Sequence, residues 1–152
     1  MELKDAIIKS RFYCAQQERC RFEVKQKLLN WGVNEQYFET ILTELEKENF
    51  LSEKRFAAWF VKSKINQKKW GRLKIRNELM KRHLESHLID EAISTANTND
   101  IINNMVNITE RKIREFDGKN DIKTQDKLKR FLYSKGYEPE LIIEYLNKHK
   151  LL

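Results

Sequence analysis

The chain has 152 residues, 40% of them hydrophobic and 35% charged, with a net charge of +7. One proline and four glycines supply too little turn chemistry for a β-rich fold, whose turns recur every ~8–12 residues. No run approaches the ~18 apolar residues of a membrane span, and Met1 to Asp5 lack a signal-peptide core, which predicts a cytoplasmic protein that avoids membranes.

The first helix is expected from Glu2 to about Gln17, with Ile7, Ile8 and Phe12 as its apolar residues. Cys14 and Cys20 match no zinc or redox spacing and predict two reduced thiols. A second helix, from about Arg21 to Trp31, is stopped by Gly32, the usual left-handed terminator, with Trp31 packing at its end. Asn34 caps a third helix to about Glu48, in which Phe38, Ile41, Leu42 and Leu45 share a face. Phe50-Leu51 reads as an apolar seam. Ser52 caps the next helix, whose inward stripe is Phe56, Ala57, Phe60 and Val61; Trp59, between two phenylalanines, is expected in the core. Gly71 begins a helix to about Arg82, and the turn His83-Leu84-Glu85 leads to another ending near Ala96. Asn97-Thr98-Asn99-Asp100 is the clearest punctuation in the chain. Helices then follow from Ile101 to Phe116 and from about Gln125 to Lys135, separated by a polar loop over 117–121. Gly136 stops the second of these, and Pro139 suits the first position of the last helix.

The same pattern occurs three times. Residues 24–42 overlay residues 75–93, and residues 128–146 overlay both. Val24, Ile75 and Leu128 then coincide, as do Leu28, Leu79 and Leu132. After a tight turn come Phe38, Ile89 and Ile142, then Leu42, Ile93 and Leu146. A period near ~50 residues marks tandem supersecondary units. The predicted fold is all-α, an elongated array of three three-helix units at 1–51, 52–98 and 99–152. A unit of that size buries too little of its chain to be secure alone, so neighbours must share apolar surface.

The positive charge is concentrated. Between Lys54 and Asn77 there are nine basic residues and no acidic one. Lys62, Lys64, Lys68, Lys69, Arg72, Lys74 and Arg76 flank one interhelical link, a pattern that suits polyanions. A solvated basic face is the plainer reading. Trp70 lies in their midst; exposed, it could stack on an unpaired base, although a tryptophan beside a helix-opening glycine more often packs into a core. His83 and His87 have a metal-like spacing, but the repeat places a helix break between them, so no metal is expected. No phosphate loop and no nucleophile–base arrangement can be read, so neither a cofactor nor a catalytic set is expected.

Four stretches resemble the RecX regulatory family of bacterial RecA modulators. Glu18-Arg19-Cys20-Arg21-Phe22-Glu23-Val24 with Lys27-Leu28 is similar to R-S-x-x-E-[LV]-x-x-K-L, with Cys20 in place of serine. Residues 45–57 resemble L-x-x-x-x-[YFL]-[LI]-[DN]-[DE]-x-x-[FY]-A, with Glu53 at an acidic position. Gly71 to Leu79 resembles G-x-x-[KR]-I-x-x-E-L, and Phe131 to Tyr137 resembles F-L-x-x-[RK]-G-[FY]. His83 replaces the family's glycine, so that turn is expected to be made differently. The resemblance implies a non-enzymatic, cytoplasmic regulator lying in the groove of the RecA–single-stranded DNA filament. There it would restrain recombinase and coprotease activities, and so DNA repair and the SOS response.

A competing reading is a helix-turn-helix-like regulator of duplex DNA that acts without RecA. Against it, the basic segment is mostly lysine and lacks a compact set of Asn, Gln and Arg on one recognition face. A protein-only scaffold would leave the basic segment unexplained. The expected partners are therefore a RecA filament and single-stranded DNA, with duplex DNA an open second, and the chain is expected to be a monomer. Lys68, Lys69, Arg72 and Arg76 are expected to point one way, opposite Leu73, Ile75 and Leu79.

Overall fold

A computed structural model describes residues 1–116 and 121–148. Most of the loop expected over 117–121, and Lys150, lie outside the described residues. Among them there are nine α-helices and no strand: α1 (Leu3–Gln16), α2 (Arg21–Asn30), α3 (Phe38–Lys47), α4 (Glu53–Ser63), α5 (Arg72–Lys81), α6 (Ser86–Ser94), α7 (Thr98–Glu115), α8 (Ile122–Ser134) and α9 (Pro139–Lys148). A 3-10 turn, Glu35–Tyr37, precedes α3, and a π-helical turn, Lys64–Lys68, follows α4. The chain forms two compact units, one of Met1–Trp59 with Leu79–Ala92, the other of Phe60–Glu78 with Ile93–Leu152.

Helix starts follow the short polar residues. The Asn34 side chain accepts from the Gln36 N–H at 3.1 Å, Ser52 from Arg55 at 3.2 Å, Asn97 from Asp100 at 3.2 Å and Asp121 from Thr124 at 2.7 Å. Asp121 therefore opens α8 three residues ahead of the expected Gln125. Cys20, standing where the resemblance places serine, still precedes α2; its N–H donates to the Glu23 carboxylate at 3.2 Å. Glu53 accepts the Arg21 N–H at 3.1 Å, so the longer acid reaches the α2 start. Burial raises the Glu53 pKa, partly offset by that N–H.

All twelve positions that the repeat superimposes are buried, from Val24, Ile75 and Leu128 through to Leu42, Ile93 and Leu146. The turns repeat too. Gly32 N–H donates to Leu29 at 3.0 Å and Val33 to Leu28 at 3.0 Å. His83 donates to Met80 at 2.9 Å and Leu84 to Leu79 at 3.4 Å. Gly136 donates to Tyr133 at 2.9 Å and Tyr137 to Leu132 at 3.3 Å. This is one helix terminator used three times. The expectation that His83 makes its turn differently is corrected: His83 itself adopts φ +60°, as Gly32 does at +76° and Gly136 at +95°. Its ring lies 5.5 Å from that of Phe22. His83→Ala keeps the left-handed strain and loses the ring contact, whereas His83→Gly relieves the strain. Urea melts should therefore place His83→Gly above His83→Ala by about 1 kcal/mol; equal stabilities would show that the turn carries no strain.

In the first unit α1 packs on α2 and α3, around Ala6, Cys14, Val24, Leu28, Ile41, Leu42 and Leu45. Leu51 joins this cluster and Phe50 packs on it. Ile8 and Phe12 are exposed, Phe12 to 70%, because α1 turns Ala6, Ser10 and Cys14 inward, with Leu3 and Ile7 beside them. Small residues on that stripe suit a close approach of helices. The expectation of a core Trp59 is corrected: it is 36% exposed, its ring leaning on Phe56 with centroids 5.8 Å apart. Trp31 packs edge-on to Tyr13 at 6.2 Å, as a helix-end residue should. Burial pushes the Cys14 thiol up to about 11 and Cys20 to about 12, so both stay protonated at neutral pH. In the second unit α7 packs on α8 and on the π-helical turn, and α8 packs on α9.

Candidate functional site

The basic segment is built around an abrupt reversal. The π-helical turn ends when Lys69 takes a left-handed conformation, φ 57°, ψ 36°. The N–H groups of Lys69 and Trp70 both return to the Lys64 carbonyl, the latter at 3.2 Å. Asn104 of α7 donates its side-chain amide to the Ile65 carbonyl at 3.0 Å, satisfying a group that the widened turn releases.

The reversal is then fastened to the α8–α9 turn. The Tyr137 hydroxyl, on a fully buried side chain, donates to the Lys69 carbonyl at 2.5 Å. Gly71 N–H donates to the Lys135 carbonyl at 2.8 Å and Leu73 N–H to that of Gly136 at 2.9 Å. Two donors at the start of α5 are thereby occupied. An anion here would be held by side chains rather than by the helix terminus.

The seven predicted cations divide by environment. Lys62, Lys68 and Lys69 are exposed, and the Lys69 ammonium reaches back to the Asn66 carbonyl at 2.8 Å. Lys64 and Lys74 are half-buried with their ammonium groups 5.1 Å and 4.7 Å from the centroid of the Trp70 ring. Trp70 is half-buried, edge-on to Phe60 at 6.3 Å; an incoming base would have to displace those lysines to stack on it. Arg72 donates to the Thr98 hydroxyl at 2.8 Å and lies 3.9 Å from the Glu138 carboxylate. Arg76 is half-buried four residues along α5, with Ile75 and Leu79 fully buried and Leu73 half-buried.

This is a surface that can attract and position a polyanion. Lys62 and Lys68 present exposed point charges and Lys69 one held at the Asn66 carbonyl, while Arg72, Lys74 and Trp70 are half-buried. The residues missed by sequence reasoning are those that hold the reversal: Phe60 against Trp70, Asn104, and the Gly136-Tyr137 pair. The last pair was visible as a motif, but nothing in a linear pattern says what it touches. His87 lies 3.2 Å from Glu85 while His83 packs on Phe22, so the two histidines do not converge.

Comparison with known proteins agrees with this architecture. Residues 52–93 match the family described as "RecX, second three-helix domain", and residues 100–146 match "RecX, third three-helix domain". The chain is 31% identical over 133 residues to the regulatory protein RecX of Clostridium acetobutylicum, covering 83% of this chain and 60% of that one. It is 32% identical over 145 residues to that of Clostridium botulinum strain Alaska E43, covering 91% and 68%. A crystal structure of RecX from Lactobacillus salivarius superimposes with a TM-score of 0.83 at 21% identity, covering 99% of this chain and 97% of that one. The chain spans 60% of the length of the Clostridium acetobutylicum relative and 58% of that of a similarly named relative from Clostridium tetani. With the repeated turns, the buried positions and the family matches in agreement, the chain belongs to the RecX regulatory protein family.

Proposed function

We propose that the chain binds the RecA–single-stranded DNA filament in the cytoplasm and inhibits RecA, restraining recombination and the coprotease signal of the SOS response. It does so as a monomer, by binding and without chemistry of its own. Family membership carries this reading: matched relatives bear the name regulatory protein RecX. The basic reversal supports it, because exposed lysines on a braced turn suit a surface where DNA phosphate is repeated at short intervals. Lys62, Lys64, Lys68, Lys69, Arg72, Lys74 and Arg76 form the filament-facing segment, with Trp70 between them. The three-helix units at 1–51, 52–98 and 99–152 lay successive surfaces along the filament.

ATP hydrolysis by a cognate RecA filament on single-stranded DNA is expected to fall as this protein is titrated in. The protein alone should hydrolyse nothing. A filament indifferent to stoichiometric amounts would overturn the reading, and a footprint on duplex DNA without RecA would favour a DNA-only regulator.

A further inference from the structure

The first and third repeats differ at one groove. In the first, between α2 and α3, Glu39 lies 2.6 Å from Arg21 and 3.7 Å from Lys25. The repeat register carries Lys25 to Lys129 and Glu39 to Ile143. Arg21 becomes Gln125, so of the two cations only the lysine is retained, and its carboxylate is replaced by an aliphatic side chain. The second repeat carries Asp90 at this position, so only the third is apolar there.

Ile143 stands at a cavity of about 310 Å³ between α8 and α9, lined by Lys129, Arg130, Tyr133, Pro139, Ile142 and Ile143, with Ser134 at its edge. Its charged lining is cationic only. Neither Lys129 nor Arg130 has a carboxylate partner among the described residues; Arg130 Nε reaches only the Asp126 carbonyl, at 3.4 Å. Tyr133 is 59% and Ile143 47% exposed, so the groove opens to solvent with large apolar groups at its mouth. Its volume is near the lower end of ligand pockets, room for one bulky side chain and its neighbours.

We propose that this groove docks an acidic protein segment bearing one bulky apolar side chain. The apolar side chain fills the space over Ile142 and Ile143, against Tyr133. A carboxylate of the same segment takes on Lys129 the place that Glu39 has on Lys25, and Arg130 receives a second. An aliphatic wall and a proline favour a peptide side chain over a nucleobase, which binds best to flat aromatic platforms. None of the seven cations of the basic segment lines this groove, so the proposal stands apart from the filament reading.

The repeat itself supplies the variant. Ile143→Glu recreates the pair of the first repeat, closing the charge and the groove together while leaving a side chain that a homologous unit already tolerates. The probes are three labelled synthetic peptides of about ten residues, each with one phenylalanine flanked by aspartates in a different register. Fluorescence anisotropy and backbone amide NMR would be read on the full chain. At least one peptide should bind and shift the amides of residues 129–134 and 139–143. Ile143→Glu should weaken it about tenfold or more with an unchanged melting temperature, and Tyr133→Ala and Lys129→Glu should weaken it too. Replacing the phenylalanine by alanine should do the same. The proposal is overturned if no peptide binds below about 1 mM, or if Ile143→Glu binds as the parent does. It is equally overturned if an oligothymidylate shifts the same amides more strongly, or if the parent self-associates through this face and Ile143→Glu abolishes that.

Discussion

Alanine at Gly136 is expected to cost about 3 kcal/mol of stability, against about 1 kcal/mol for alanine at Gly32. Both glycines have positive φ and terminate equivalent helices, so both substitutions carry the same left-handed penalty. Their surroundings differ. A Cβ on Gly32 would meet nothing within 4 Å, whereas one on Gly136 would overlap the backbone nitrogen and Cβ of Lys74. Those atoms belong to α5 and cannot swing aside as a side-chain tip would. Gly71 faces the same contact from the other side: a Cβ there would overlap the Gly136 carbonyl and the Tyr137 nitrogen. Moving the segments apart would stretch the Gly71–Lys135 and Leu73–Gly136 hydrogen bonds, worth about 1 kcal/mol each. Against a typical stability of about 5–15 kcal/mol, such a loss is readily seen as a lower urea midpoint. Equal midpoints for Gly136→Ala and Gly32→Ala would mean that the Gly136 turn does not touch the start of α5. Because Tyr137 also holds the Lys69 carbonyl, Gly136→Ala should loosen the basic reversal before the protein unfolds.

Most of what was legible in the sequence was periodic. Four apolar positions per repeat, three helix terminators and several caps are local features, each set by residues within about one helical turn of one another, so a linear pattern records them. The buried face of α1 was not legible, because the large apolar residues Ile8 and Phe12 are the exposed ones, while Ala6, Ser10 and Cys14 pack inward. Hydrophobicity is a poor guide where helices approach closely enough to require small side chains. Trp59 failed for a related reason. Phenylalanine neighbours in sequence predicted burial, yet residues one apart on a helix point some 100° away from each other. The brace between Gly71 and Gly136 was illegible because it joins segments distant in sequence through backbone atoms. The exchange of Glu39 for Ile143, by contrast, is visible in the repeat alignment, and acquires meaning only when Lys25 is seen against Glu39.

The basic segment makes the largest functional prediction, and the structure selects which residues to change. Reversing Arg72 would place a carboxylate near Glu138 and remove the bond to Thr98, confounding binding with folding. Lys74 and Lys64 are packed on Trp70 and carry the same risk. Lys62, Lys68 and Lys69 are exposed, so replacing all three with glutamate should leave the thermal midpoint nearly unchanged. Each lysine that contacts phosphate contributes roughly 0.7 to the slope of log K against log salt on single strands, so losing three should flatten that slope by about 2. If the proposed function holds, affinity for the RecA–single-stranded DNA filament at physiological salt should fall roughly 100-fold, and inhibition of ATP hydrolysis should shift to correspondingly higher protein concentration. Lys148→Glu, an exposed charge reversal near the end of α9 and outside the basic segment, should have little effect. A triple variant that stays folded and inhibits at the parent's concentration and salt dependence would reduce the segment to a solvated face.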